Sequence, residues 1–177
     1  LAVRLLQSRK FPSWGFEVEN GATTIWERWN SYTRENGFGG EQNAAMNSFA
    51  HYSFGAVCEW MFTLLAGIDT EGVGYQHLVI RPMPPSPGSN PDHQPIDWVK
   101  AEYGSIRGRI RSQWRRAADR FEFNVTIPAN TTATVYLPTS DAHKIPEGGR
   151  PLATRVRRAT VAAIFSSARS LWGSWMS

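Results

Sequence analysis

The stretch MNSFAHYSFGAVCEWMFTLLAG, residues 46–67, predicts the most regular element of this chain. Its apolar residues recur mostly at steps of three and four, the spacing of one face of an α-helix. We expect Asn47 or Ser48 to cap this helix and Gly67 to end it. On the same face, Cys58 is expected to fill space in the core.

The sequence after this helix has the composition of β-strands. A short β-rich segment spans residues 75–81, and a proline-rich connector follows it. Four segments with partial alternation come next, separated by turn residues: DWVKAEYGS, GRIRSQWRRA, DRFEFNVTIP and TTATVYLP. They predict an antiparallel meander that is part of a β-sandwich. Helices followed by strands indicate two domains in series, with a boundary near residues 67–75.

Two shorter segments precede the helix. The first, LAVRLLQ at residues 1–7, has helical spacing and is expected to be the end of a helix that stops before Pro12. The second, at residues 11–29, predicts a loop with a short extended piece and a turn at Asn20-Gly21. Because the chain opens in helical rhythm without an initiating Met, we expect it to be a fragment.

Composition excludes several classes of protein. Apolar residues make up 41% of the chain and aromatic residues 12%, which is enough for a packed core. No apolar run of membrane-spanning length and no signal peptide is visible, so the sequence assigns no compartment and predicts no membrane partner. One cysteine excludes an internal disulfide framework and a cysteine-rich zinc site. We expect neither a metal nor a cofactor.

The net charge of +4 comes from the end of the chain. From Ala142 onward there are six basic residues and one acidic residue, so the remainder holds 13 basic and 14 acidic groups. The body is therefore not basic, and we expect no nucleic-acid partner. Residues 151–177 form an atypical tail: residues 154–177 can be drawn as a basic amphipathic helix, or the reading frame has changed near residues 151–153. A nucleic-acid or membrane-surface function would depend on this tail alone.

The segment GATTIWERW, residues 21–29, is the candidate functional motif. It sets Glu27 between Trp26 and Trp29. Indole rings stack on the apolar faces of sugars while charged groups bind the hydroxyls, so the motif is typical of a carbohydrate site. A buried salt bridge with two structural tryptophans explains the motif equally well. His51 is expected in the first turn of the long helix, facing inward, as a structural residue or a ligand to the sugar.

Long motifs in this chain resemble the C-terminal part of the bacterial α-L-rhamnosidases, of the glycoside hydrolase family 78 type. The residues that carry the resemblance are PSWGFEVENGATTIWERWNS (12–31), MNSFAHYSFGAVCEWMF (46–62), AGID with GYQHLVIRP (66–82) and VTIPANTTATVYLP (125–138). The resemblance implies an α+β chain in two parts. Residues 1–70 would be the closing helices of an (α/α)6 barrel, and residues 75–150 an antiparallel C-terminal β-sandwich.

The resemblance also implies an activity. Such enzymes remove terminal α-L-rhamnose from glycosides and polysaccharides with inversion, and the glutamate that matches Glu27 is their general base. His51 is carried over as a ligand to the sugar, with Trp14, Trp26 and Trp29 as further substrate-binding residues. The general acid of the family lies on earlier helices, so we expect the isolated chain to be inactive and to associate through exposed barrel helices.

A second class of function stays open beside hydrolysis. A non-catalytic carbohydrate-binding or accessory module would use the same tryptophans as stacking platforms and would not need Glu27. The partner expected from the resemblance is a rhamnose-containing carbohydrate.

Overall fold

The structure is a computed structural model that describes residues 2–38, 47–86, 94–139, 145–147, 150–151 and 159–163. The chain forms two compact units. The first comprises Leu1–Met61 with Pro84–Asp97, and the second comprises Phe62–Met83 with Trp98–Ser177. Each unit is described in turn.

The described helices of the first unit are short. They are α1 (Ala2–Gln7), α2 (Trp14–Glu19), α3 (Tyr52–Gly55) and α4 (Val57–Trp60). Helix α1 confirms the helix predicted in the first seven residues. Helix α2 replaces the predicted loop because Ser13 is a strong N-cap: its hydroxyl accepts a hydrogen bond from the Phe16 N–H at 3.0 Å.

The long helix predicted over residues 47–67 is wrong in its first turn. Residues 47–51 are not helical, His51 has an extended backbone, and the helix begins at Tyr52. The cause is a backbone ladder with the GATTIWERW motif, in which the Glu27 N–H donates to the Ser48 carbonyl and the His51 N–H donates to the Ile25 carbonyl, both at 2.8 Å. Backbone groups committed to this ladder are unavailable to a helix.

The rest of the predicted helix is helical but irregular. After α4 the chain continues as a π-helical turn, Met61–Leu65. Cys58 is exposed, so the prediction that it fills core space is wrong. The described residues leave the Cys58 side of α4 uncovered, and helical periodicity alone cannot tell which apolar positions are covered.

The second unit contains two principal sheets. One has the strand order β1-β2-β6-β9, the second is β3-β4-β5, and a small third sheet pairs β7 with β8. The strands are β1 (Ile68–Glu71), β2 (His77–Ile80), β3 (Trp98–Ser105), β4 (Gly108–Arg116), β5 (Phe121–Thr126), β6 (Thr132–Leu137), β7 (Pro146–Glu147), β8 (Arg150–Pro151) and β9 (Ala159–Ala163).

The predicted meander is confirmed for β3, β4 and β5, which pair antiparallel in chain order. It is wrong for β6, which leaves that sheet and pairs in parallel with β2, so that Leu78 lies beside Ala133. The connection explains the change. Pro128 has no N–H to extend the ladder, and Asn130 has a φ of 58°, which turns the chain before β6 begins.

One apolar cluster lies between the two principal sheets. Its fully buried members are Ala66, Ile68, Leu78, Ile80, Ile110 and Ala133. Strand β4 also makes polar contacts to the backbone just before β1. Trp114 Nε1 donates to the Leu65 carbonyl at 2.7 Å, and Ser112 Oγ donates to the Ala66 carbonyl at 2.5 Å. Two sheets that share one core make this unit sandwich-like.

The tail is described only at its strands. Ala159–Ala163 form β9, which pairs in parallel with β6, so the amphipathic helix drawn for the tail is wrong over these residues. The rest of the predicted helix, residues 154–158 and 164–177, lies outside the described residues.

Candidate functional site

The segment that carries Glu27 is held from both sides. The Ile25 carbonyl and the Glu27 N–H bond through the ladder to the segment that includes Ser48 and His51. The intervening Trp26 N–H points the other way and reaches Glu17 Oε2 at 3.4 Å. Three successive residues are therefore fixed by backbone hydrogen bonds on alternating sides.

The two oxygens of Glu27 have different surroundings. The side chain is half-buried, and its Oε2 accepts a hydrogen bond from the Ser48 N–H at 2.7 Å. Its Oε1 forms no hydrogen bond with any described residue. The carboxylate is thus oriented through one oxygen and free to accept a proton or a hydroxyl hydrogen through the other.

His51 ends the ladder with its N–H and lies at the N-cap position of α3. Its ring is half-buried and packs against Phe54, with 5.6 Å between ring centroids, and more loosely against Tyr52 at 6.2 Å. Among the described residues no partner bonds to its side chain. Within the described part of the chain, both ring nitrogens can accept or donate a further hydrogen bond.

Phe54 connects His51 to two of the predicted tryptophans. Its ring lies 5.0 Å from Trp29, and Trp29 meets Trp14 edge-on at 5.2 Å with an angle of 87° between the ring planes. Trp14 and Trp29 are both half-buried. The structure thus brings Trp14, Trp29 and His51 into one aromatic chain.

Trp26 belongs to a different cluster. It is only 5% exposed and meets the rings of Tyr32 and Phe49 edge-on at 6.2 Å and 5.6 Å. Phe38 closes the ring of contacts by touching both Tyr32 and Phe49. A side chain enclosed in this way packs the core and has no open face for a sugar.

Sequence reasoning missed two polar residues that shape the site. One is Ser31, which is fully buried; its hydroxyl contacts the Arg28 carbonyl at 2.9 Å and Asn47 Oδ1 at 2.8 Å. These contacts join the end of the GATTIWERW motif to the residue before Ser48. No short motif marks a serine of this kind, because its partner lies far along the chain.

The second missed residue is Glu17 on α2, which is 2% exposed. Burial raises the pKa of its carboxyl to about 7, and the hydrogen bond from the Trp26 N–H opposes that rise. Its Oε1 has no hydrogen-bond partner among the described residues. Recognising α2 in the sequence would have indicated that Glu17 is buried, because Glu17 lies on the same helix face as Trp14, one turn earlier.

The described residues form neither a metal site nor a membrane-spanning helix. Within the described ranges, no group of three or more His, Cys, Asp or Glu side chains is placed to hold a metal ion. No helix among the described residues has the length and apolarity needed to cross a membrane.

Comparison with known proteins identifies the family. Residues 1–65 match the model of the bacterial α-L-rhamnosidase six-hairpin glycosidase domain. Residues 67–150 match the model of the bacterial α-L-rhamnosidase C-terminal domain. The chain belongs to the bacterial α-L-rhamnosidase family.

Individual relatives agree with this assignment. The chain is 38% identical to the α-L-rhamnosidase of Streptomyces avermitilis over 82% of its length, and 34% identical to an α-L-rhamnosidase of Formosa agariphila over the same share. It spans 13% and 14% of those proteins, respectively. The crystal structure of the Streptomyces avermitilis α-L-rhamnosidase complexed with L-rhamnose matches 84% of this chain, and 14% of that protein, with a TM-score of 0.63 and 35% identity.

Proposed function

We propose that this chain is the base-carrying part of an inverting α-L-rhamnosidase, with Glu27 as the general base. The observation that carries the proposal is the asymmetry of its carboxylate: Oε2 is fixed by the Ser48 N–H at 2.7 Å, whereas Oε1 is free of hydrogen bonds to the described residues. A base held through one oxygen accepts a proton through the other without reorienting. The names of both relatives support glycoside hydrolysis as the reaction class.

The proposed reaction uses two carboxyl groups on opposite faces of the sugar, about 6.5–9.5 Å apart so that a water fits beside the ring. Glu27 Oε1 takes a proton from that water as its oxygen attacks the anomeric carbon. The glycosidic bond breaks, and its oxygen receives a proton from the general acid. The sugar leaves as β-L-rhamnose. We assign the acid to a part of the enzyme outside this chain, which spans 13% of its Streptomyces relative.

His51 and two tryptophans are proposed to bind the sugar. The His51 ring nitrogens make no hydrogen bond to described residues and lie beside the ladder that positions Glu27, so the ring can bond to a hydroxyl of the same sugar. Trp14 and Trp29 are only half-buried, and we assign their remaining exposed surface to stacking on the sugar. Trp26, which was expected to share this role, is assigned to packing because it is buried.

At the level of domains, we propose that residues 1–70 close an (α/α)6 barrel and that residues 75–150 form the C-terminal β-sandwich. The matches of residues 1–65 and 67–150 to the two rhamnosidase domain models support this division. Residues 151–177 remain an atypical tail outside both matches.

The test compares this chain with a form extended through the coding sequence upstream of residue 1, called here the extended protein. Both are incubated with p-nitrophenyl α-L-rhamnoside and with matched glycosides of other sugars, and the anomer released first is identified by NMR. We expect the extended protein to hydrolyse the rhamnoside and release β-L-rhamnose, and the chain alone to be inactive. Initial release of the α-anomer would contradict a general-base mechanism.

One observation favours the alternative, a non-catalytic carbohydrate-binding or accessory module. The hydrogen bond from the Ser48 N–H gives the Glu27 carboxylate a structural role that needs no catalysis. Under this alternative the extended protein would bind L-rhamnose without hydrolysing any glycoside, and binding would survive Glu27→Gln. Hydrolysis of p-nitrophenyl α-L-rhamnoside by the extended protein distinguishes the two, because L-rhamnose is expected to bind to Glu27→Gln in both cases.

A further inference from the structure

Glu17 is a buried carboxyl that the proposed reaction does not use. It is 2% exposed, and its side chain makes one hydrogen bond among the described residues, from the Trp26 N–H to Oε2 at 3.4 Å. Burying a carboxyl costs free energy that one long hydrogen bond offsets only in part. The surroundings of Glu17 indicate what the buried carboxyl does.

The backbone of Glu17 contacts the same segment that its side chain contacts. Its carbonyl accepts hydrogen bonds from the Asn20 N–H and the Ala22 N–H, each at 3.0 Å. The carboxyl then reaches Trp26, so this one residue is bonded to both ends of the stretch from Ala22 to Trp26. That stretch leads directly into Glu27.

On its opposite side the segment is held by the ladder. Ile25 and Glu27 bond to His51 and Ser48, and Trp26 bonds to Glu17 between them. The Trp26 N–H and the Ile25 carbonyl belong to the same planar peptide group, which Glu17 holds at one end and His51 at the other. Without the bond to Glu17 this peptide would be held by the ladder alone and could tilt about it, so the Glu27 side chain would leave the backbone in a changed direction. An error of about 1 Å in the placement of a reacting group costs roughly 100-fold in rate.

We infer that Glu17 is a positioning residue for the base, whose buried carboxyl fixes the Trp26 peptide and thereby the direction of the Glu27 side chain. This inference rests on the proposed function, because it requires Glu27 to act as the base. It predicts that the hydrogen-bond acceptor on Glu17 supports kcat and contributes little to sugar binding.

The test measures kcat and KM of the extended protein on p-nitrophenyl α-L-rhamnoside for three variants. Glu17→Met keeps the length of the side chain and removes both oxygens, Glu17→Gln keeps an acceptor, and Glu19→Gln is the control. Glu19 lies on the same helix but is exposed and pairs with Arg9 at 2.7 Å. We expect Glu17→Met to lower kcat by about 10- to 100-fold with KM changed less than about threefold. Glu17→Gln and Glu19→Gln should stay within about threefold of the unmodified protein.

A second measurement separates positioning from a folding defect. In a Glu27→Gln background, Glu17→Met should cause no further loss of the residual rate, because the group that it positions is already absent. An equal loss in both backgrounds would overturn the inference, as would a Glu17→Met variant with unchanged kcat.

The outcomes also distinguish this inference from the proposed function. If Glu27→Gln alone keeps full activity, the assignment of the base is wrong and Glu17 has nothing to position. If Glu27→Gln is inactive while Glu17→Met behaves like Glu19→Gln, the base stands and the positioning role is overturned.

Discussion

Glu17 and Glu27 show how burial divides the roles of two carboxyl groups near one another in the chain. Glu27 is half-buried with one oxygen open, whereas Glu17 is enclosed and bonded to the Trp26 peptide. Neither environment follows from the local sequence, since both residues have aromatic and charged neighbours. The GATTIWERW motif identified Glu27 as a candidate, but the enclosure of Glu17 depends on contacts that only the folded chain shows.

The raised pKa of Glu17 makes a prediction for stability. The unfolded carboxyl titrates near 4.5 and the folded one near 7, so between these pH values the native state holds a proton that the unfolded state has released. Stability due to this group therefore falls as pH rises from 4.5 to 7, and the loss stays constant above that. At 1.36 kcal/mol per pKa unit, the upper limit is about 3 kcal/mol.

Glu17→Gln should remove this loss because an amide does not ionise. We expect the variant and the unmodified extended protein to have similar thermal midpoints at pH 4.5, and the variant to have the higher midpoint at pH 8. Differential scanning fluorimetry across this range measures the effect, with Glu19→Gln as the control. Parallel pH profiles for all three proteins would show that the Glu17 carboxyl is not buried as described.

At the scale of elements, the entry into the second unit depends on Gly67. This residue has a φ of 72°, and a Cβ there would lie 2.1 Å from the backbone nitrogen of Pro82 and 2.3 Å from the carbonyl carbon of Arg81. Its carbonyl also accepts a hydrogen bond from the Arg81 N–H at 2.8 Å. A side chain at this position would push β1 away from the chain that follows β2.

Gly67→Ala should therefore be far more destabilising than Gly72→Ala. Gly72 has a similar φ of 78° but open space where a Cβ would be, so its substitution carries the conformational cost of about 1–2 kcal/mol alone. We expect Gly67→Ala to cost several kcal/mol more, because backbone atoms must shift. Thermal midpoints of the two variants give the comparison, and equal losses would mean that the close approach at Gly67 is absent.

The elements that could be predicted from the sequence are those with local signals. Alternation and turn residues located strands β2 to β6, and apolar spacing located α1. The start of α3 was misplaced because a long-range ladder with Ile25 and Glu27 overrides helical spacing before Tyr52. The parallel pairing of β6 with β2 was missed for the same reason, since strand order depends on contacts distant in sequence.

The residues of the candidate site also differ in whether local sequence or long-range contacts determine their role. A motif and a resemblance indicated Glu27, His51, Trp14 and Trp29, and the structure brings these residues to one region of the first unit. Trp26 has the same local sequence signal as Trp29, yet it is enclosed by other rings. Whether an indole is a platform or core filler depends on what covers it, which spacing does not encode.

At the scale of the whole molecule, the first unit exposes several large apolar side chains. Tyr52 is 87% exposed, and Phe11, Val18 and Met61 are also exposed. Side chains of this kind on the surface of a small unit favour association. We therefore expect the isolated chain to self-associate in sedimentation velocity experiments as its concentration rises.

Substitution tests which surface is responsible. Tyr52→Lys should weaken self-association, whereas Val73→Lys should leave it unchanged, because Val73 is equally exposed at 92% but lies in the second unit. Sedimentation as a monomer at all concentrations would contradict the expectation. Equal effects of the two substitutions would assign association to general hydrophobicity and not to the helices of the first unit.

The most direct test of the central claim is the kcat of Glu27→Gln in the extended protein on p-nitrophenyl α-L-rhamnoside, beside Glu19→Gln. Departure of p-nitrophenolate needs little help from an acid, so the rate reports chiefly on the base. We predict that Glu27→Gln lowers kcat by about 100- to 10,000-fold while L-rhamnose still binds, and that Glu19→Gln has little effect. A Glu27→Gln protein that retains most of its kcat would contradict the assignment of Glu27 as the general base.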